Sequence, residues 1–242
     1  MKIEGIKALI FDLGGTLYRP VSNLCGLTRD FLIEAEVGTH EDFPDTTIRR
    51  AIQEPDEWLT SYMIENEVDQ HWQPSNEHWI EYDKLLLKAL GVEDTEVVMQ
   101  YQSKWDEFVE DSTPEIMNGC KECLEELHER GFKLGIASNR FRDPSKLLMK
   151  DSIHGLFDAI EYTNVPGYRK PSPFMLLRLT EELQINPRKC AYIGNIVEQD
   201  IVAAERAGML PILLTWLDPQ EYDKITSDVI VIEDIMDLLE IL

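Results

Sequence analysis

Residues 8–17 read Ala8-Leu9-Ile10-Phe11-Asp12-Leu13-Gly14-Gly15-Thr16-Leu17. An unbroken apolar run is the signature of a strand buried on both faces, as in a parallel sheet. It ends in a carboxylate followed by two glycines, so Asp12 falls where a strand meets its loop. Glycines lack a Cβ and let backbone N–H groups approach a ligand closely, and Thr16 adds a hydroxyl to the same turn. Asp12 is therefore the first candidate for chemistry, pending partners elsewhere in the chain.

The remainder of the chain supplies the order of elements. After the turn at residues 13–18, apolar spacing predicts only helices: 24–37, 45–68 with a break at Pro55, 76–90 and 94–109. Trp58, Trp72, Trp79 and Trp105 are expected to form the core of this segment. From residue 115 the pattern alternates. Helices are predicted over 118–130, 144–150, 173–183 and 200–207, strands over 133–137, 158–162, 190–193 and 211–216, and residues 229–242 add a last short strand and helix. Alternation of this kind predicts an α/β fold: a Rossmann-like parallel sheet with helices on both faces, interrupted after its first strand by an all-helical insertion. The expected boundaries are an α/β core at 1–19 and 111–242 and a helical cap at 20–110, overhanging the strand ends like a lid.

Composition narrows the function classes. The 242 residues are 43% hydrophobic, ample for a core, and no apolar stretch approaches the roughly 18 residues of a membrane span. The N-terminus runs directly into a strand without a cleavage site, which predicts a cytoplasmic protein. A formal charge of −23 argues against nucleic acid and anionic membranes as partners. Residues 31–111 hold about 21 acidic and about 5 basic side chains, so the insertion carries most of the excess. Cys120 and Cys123 form a CxxC, but with Leu124 and Leu127 they fall on one helical stripe, and no second ligand pair follows at zinc spacing. They are expected to be core. The five histidines show no metal or triad spacing.

Further polar groups fall at carboxyl ends of strands, where open α/β sheets bind ligands. Ser138 and Asn139 follow 133–137, Lys170 precedes a helix that Ser172 and Pro173 can start, and Gly194, Asn195 and Asp200 follow 190–193. Arg140, Arg142, Arg169 and Lys170 add basic charge in an acidic protein, which suits an anionic ligand.

This ordered set resembles the haloacid dehalogenase superfamily of hydrolases, most of which are phosphatases. The likeness is to the phosphoglycolate phosphatase-like subfamily whose helical cap follows the first strand. The motifs are FDLGGTL, IASN, the lysine of YRKPSP, and YIGNIVEQDIVAAERAGM. The resemblance implies roles: Asp12 as nucleophile, Thr16 as turn hydroxyl, Ser138 as phosphoryl-binding hydroxyl and Lys170 as charge-balancing amine. Gly14, Gly15, Asn139 and Arg140 are expected to contact a small anionic, phosphorylated substrate. Asp12, the Gly14 carbonyl, Asn195 and Asp200 are expected to hold Mg²⁺.

Two positions depart from the family pattern. Gly14 stands where most family phosphatases carry a second aspartate as acid and base, a group typically worth about 10²- to 10⁴-fold in rate. Glu198 or a cap residue is a candidate substitute. Asn195 stands where a metal-binding aspartate is usual. Three activities remain open: a slow Mg²⁺-dependent hydrolase of a small phosphate monoester through an aspartyl-phosphate, a metal-independent 2-haloacid dehalogenase-like hydrolase, and a binding or regulatory protein that has lost turnover.

Overall fold

The structure, a computed structural model, describes residues 2–20, 24–111 and 113–242 and divides into two compact units, Met1–Pro20 with Pro114–Leu242, and Val21–Thr113. The first begins with β1 (Ala8–Phe11), whose four residues are fully excluded from water.

The second unit comprises α1 (Leu24–Glu34), α2 (Asp45–Ala51), α3 (Gln53–Glu65), α4 (Asn76–Ala89) and α5 (Thr95–Asp111). The α1 helix stops short of the predicted residue 37 because Glu36 turns to φ 60°. The break expected at Pro55 lies at Ile52 instead. Pro55 occupies the first turn of α3, where its missing N–H has no helical acceptor to lose. Leu32, Ile48, Leu86, Leu87, Val98 and Tyr101 form the core, which corrects the expectation of a tryptophan core. Trp105 packs against its margin, edge-on to Phe31, while half-buried Trp58 and Trp72 flank Tyr62 and Trp79 meets Tyr82. Branched aliphatic side chains fill the helix junctions, and the bulkier indoles with their polar N–H settle at the edges.

The chain then returns to the first unit through α6 (Cys120–Glu129), β2 (Lys133–Ser138), α7 (Ser145–Lys150), β3 (Ala159–Tyr162), α8 (Phe174–Leu183), β4 (Cys190–Gly194), α9 (Val202–Ala207), β5 (Leu210–Leu214), β6 (Ile230–Ile232) and α10 (Leu238–Ile241). A π-helical turn at Val197–Ile201 leads into α9, so that helix begins two residues later than predicted. The six strands are all parallel, in the order β3-β2-β1-β4-β5-β6.

Strand alternation sorts the core into two layers. Leu9, Phe11, Leu134, Ile136, Ala191 and Ile193 pack with Cys120, Cys123, Leu124 and Leu127 of α6 and with Leu238. Ala8, Ile10, Ala137, Cys190 and Tyr192 pack with Met175, Leu176 and Leu179 of α8 and with the alanines of α9. The CxxC is thus core, as expected, and burial pushes both thiols up to about 12. Among the described residues, no helix is long and apolar enough to cross a membrane.

Candidate active site

Strand order reverses at β1, which lies between β2 and β4, and this is the switch point where such sheets open a crevice at their carboxyl ends. Asp12 and Asn195 emerge there, and the Asp12 N–H still donates to the Ile193 carbonyl at 2.8 Å. Alternation places Asp12 on the face of Ile10 and Tyr192, the α8 and α9 side. After Asp12 the chain doubles back. The N–H groups of Leu17 and Tyr18 bond the Leu13 carbonyl, and Gly15 N–H bonds the Tyr18 carbonyl at 2.7 Å. Gly15 has φ 88°, and a Cβ there would lie 2.5 Å from Asn195 Nδ2. Only glycine permits that turn and that approach. Thr16 Oγ1 then donates to Asn195 Oδ1 at 3.3 Å.

Lys170 reaches this point from the loop before α8. Its ammonium donates to Asp12 Oδ1 at 2.5 Å, to Asp200 Oδ1 at 2.7 Å and to Tyr192 Oη at 2.7 Å, which uses all three protons. The other Asp200 oxygen accepts the N–H groups of Asn195 and Ile196, both at 3.0 Å. A side chain at Gly194 would strike Asp200, so the close fit of that loop requires glycine. Lys170, Asp200 and Tyr192 are nearly or wholly excluded from water, and Asp12 is 7% exposed.

Burial governs the protonation of this cluster. It pushes Asp12 up against the opposing pull of Lys170, and with Asp200 adding to the rise its pKa reaches about 6. Burial alone would lower Lys170, but Asp12 and Asp200 together hold it above its ordinary value, so it remains an ammonium. Tyr192 is raised by burial and by the same two carboxylates, and stays a neutral phenol.

The remaining predicted residues are placed as follows. Ser138 is buried at the end of β2, the strand beside Asp12. Asn139, expected to contact substrate, clamps the Lys170 backbone: Oδ1 accepts the Lys170 N–H at 2.8 Å and Nδ2 donates to its carbonyl at 3.0 Å. Arg140 buries Nε without a hydrogen-bond partner among the described residues, and burial lowers its pKa while Asp12 and Asp143 oppose that fall. Glu198 is exposed. Sequence pattern does not single out Tyr192; the signal it offers is a lone hydroxyl-bearing residue in an apolar strand, two positions from its end.

A sequence model of the haloacid dehalogenase-like hydrolases matches residues 6–208. The chain belongs to the haloacid dehalogenase-like hydrolase family. The glyceraldehyde 3-phosphate phosphatase of Methanopyrus kandleri is 28% identical over 218 residues, 86% of this chain and 83% of its own. The fold is shared with a predicted phosphoglycolate phosphatase from Haemophilus somnus 129PT (TM-score 0.65, 19% identity, 99% of both chains). It is also shared with YfnB of Bacillus subtilis, solved bound to magnesium (TM-score 0.64, 18% identity, 99% of both chains).

For a haloacid dehalogenase-like hydrolase the donor set available to a metal is spare. Among the described residues no three His, Cys, Asp or Glu side chains converge as a metal site. Asp200, expected as a ligand, has both oxygens engaged by Lys170 and by two backbone N–H groups. What is left is the Asp12 carboxylate, the Gly14 carbonyl and the neutral Asn195 amide. These are hard oxygen donors, and Mg²⁺ sites use one or two carboxylates together with water and substrate phosphate. The residues therefore fit Mg²⁺, at the low end of protein charge.

Proposed function

We propose that this protein is a phosphatase acting on a small phosphorylated molecule, with Asp12 as the nucleophile. The observation that carries the reading is the Lys170 ammonium joining Asp12 and Asp200 at the switch point of the sheet. Phosphoryl transfer depends on positioning and on neutralising charge, and this arrangement supplies both.

Lys170 fixes one Asp12 oxygen and offsets the charge of the two carboxylates. Asp200 and Tyr192 hold the ammonium in place, and Asn139 holds the backbone that carries it. Ser138 Oγ and the Arg140 guanidinium, with its unused Nε, are the donors assigned to phosphoryl oxygens. Thr16 keeps Asn195 against Gly15. Mg²⁺ would be held by Asp12, the Gly14 carbonyl and Asn195, and would supply charge neutralisation for the transferring group. The phosphatase named for the Methanopyrus relative, and the magnesium in the Bacillus structure, support this reading.

The test is phosphate release from a panel of small phosphorylated compounds with Mg²⁺ present. Turnover by the unaltered protein and none by Asp12→Asn is the expected result. Equal turnover by both removes Asp12 as the nucleophile.

A further inference from the structure

The geometry points to a substrate class for this site: phosphorylated compounds whose leaving group departs as a stable anion, acyl phosphates foremost, in preference to alkyl phosphate monoesters. The inference rests on Asp12 being the nucleophile, and narrows the monoester expected from sequence.

Its starting point is Gly14. A Cβ built there meets no atom within 4 Å, the residue is exposed, and its φ lies outside the left-handed region. The space for an acid is open and the backbone would accept one, yet the chain places no side chain there. No described neighbour in this unit replaces it. Both Asp200 oxygens are engaged, Lys170 has no proton to spare, and Tyr192 donates to the Ala137 carbonyl at 3.0 Å deep in the sheet. Glu198 is exposed, and its charge acts on Lys224.

What this excludes follows from the leaving group. Cleaving an alkyl ester puts the electron pair on an alkoxide, the base of an acid about as weak as water, with pKa about 16, so departure calls for a proton. A departing carboxylate is the base of an acid of pKa about 4 and calls for none. In the first step an Asp12 oxygen bonds to phosphorus, the bond from phosphorus to the acyl oxygen breaks, and its electron pair leaves on the carboxylate. Water then bonds to phosphorus and the bond to Asp12 breaks, returning its electron pair to the Asp12 carboxylate. Both water hydrogens leave on dihydrogen phosphate, which releases one to buffer. Neither step requires an acid at residue 14.

The full chain with Mg²⁺ would be assayed on acetyl phosphate, on aryl phosphates of graded phenol acidity and on glycerol phosphate, beside Gly14→Asp and Asp12→Asn. For the unaltered protein kcat/KM should fall by at least about 10²-fold from acetyl phosphate to glycerol phosphate. Gly14→Asp should narrow that gap by raising the alkyl ester rate. Rates within about tenfold of each other in the unaltered protein, abolished by Asp12→Asn, overturn the inference and leave the nucleophile standing. Activity that survives Asp12→Asn overturns the reading beneath it, and no release from any compound overturns both. If circular dichroism shows Gly14→Asp unfolded, the aryl series decides alone: a steep dependence on phenol acidity supports the inference and a flat one ends it.

Discussion

Lys170 Nζ lies 2.5 Å from Asp12 Oδ1 across 158 residues of chain, with both side chains buried. The same nitrogen is 2.7 Å from Asp200 Oδ1, so one cation answers two carboxylates. Such a cluster is held by completeness: each charge removed from water is acceptable only while its partner is present.

Lys170→Met should therefore cost about 3–5 kcal/mol of stability, since it strands two buried carboxylates. Combining it with Asp12→Asn should recover part of that loss by removing one of them. Urea unfolding of the two variants at pH 7 measures the effect. A loss below about 1 kcal/mol would mean that water reaches the cluster.

Asp83 gives a pH dependence of the helical unit itself. It lies on α4 among residues of the helical unit, and burial, reinforced by the Asp106 charge, raises its pKa from 3.8 to about 7. The folded state holds this proton more tightly than the unfolded chain does. Its contribution is thus fully present below about pH 4, declines as pH rises toward 7, and is lost above that. Asp83→Asn should leave stability near pH 4 almost unchanged and raise it at pH 8, by up to a few kcal/mol. Urea midpoints of both proteins at the two values test this, and parallel shifts would contradict it.

Gly14 and Gly15 are neighbours with opposite tolerance. At Gly15 a methyl group meets Asn195 Nδ2 at 2.5 Å and φ is 88°, whereas at Gly14 it meets nothing. Gly15→Ala should cost about 1–3 kcal/mol, while Gly14→Ala should stay within about 0.5 kcal/mol. Thermal unfolding of the pair provides the comparison, and equal losses would refute it.

The strands were legible because Ala8–Phe11, Leu134–Ala137 and Cys190–Ile193 are short apolar runs that can be buried only between two helical layers. The convergence of Asp12, Lys170 and Asp200 followed, since all three lie at carboxyl ends of strands or in the loops beside them. Fine placement did not. Pro55 reads as a breaker, yet it is tolerated in a first turn, and nothing local announces that the helix parts at Ile52. Tyr192 in β4 reads as one more apolar strand residue, and its hydroxyl acquires meaning only when Lys170 arrives from 22 residues away. Asn139 has the composition of a ligand contact, but its amide matches the Lys170 backbone, a pairing that only the assembled loops disclose.

Asn195 bears on how the chain meets Mg²⁺. Its Oδ1 accepts a hydrogen bond from Thr16, which a carboxylate would accept equally well, so Asn195→Asp preserves the contact while adding a negative charge. Without metal that charge adds to those of Asp12 and Asp200, which already share Lys170. The variant should therefore melt below the unaltered protein in chelator. Mg²⁺ should bind it at least about tenfold more tightly, because a second carboxylate joins the donor set, and should reverse the melting order. Calorimetry with MgCl₂ alone and melting curves with and without the metal report both effects. Equal affinity in the two proteins would mean that residue 195 does not face the ion.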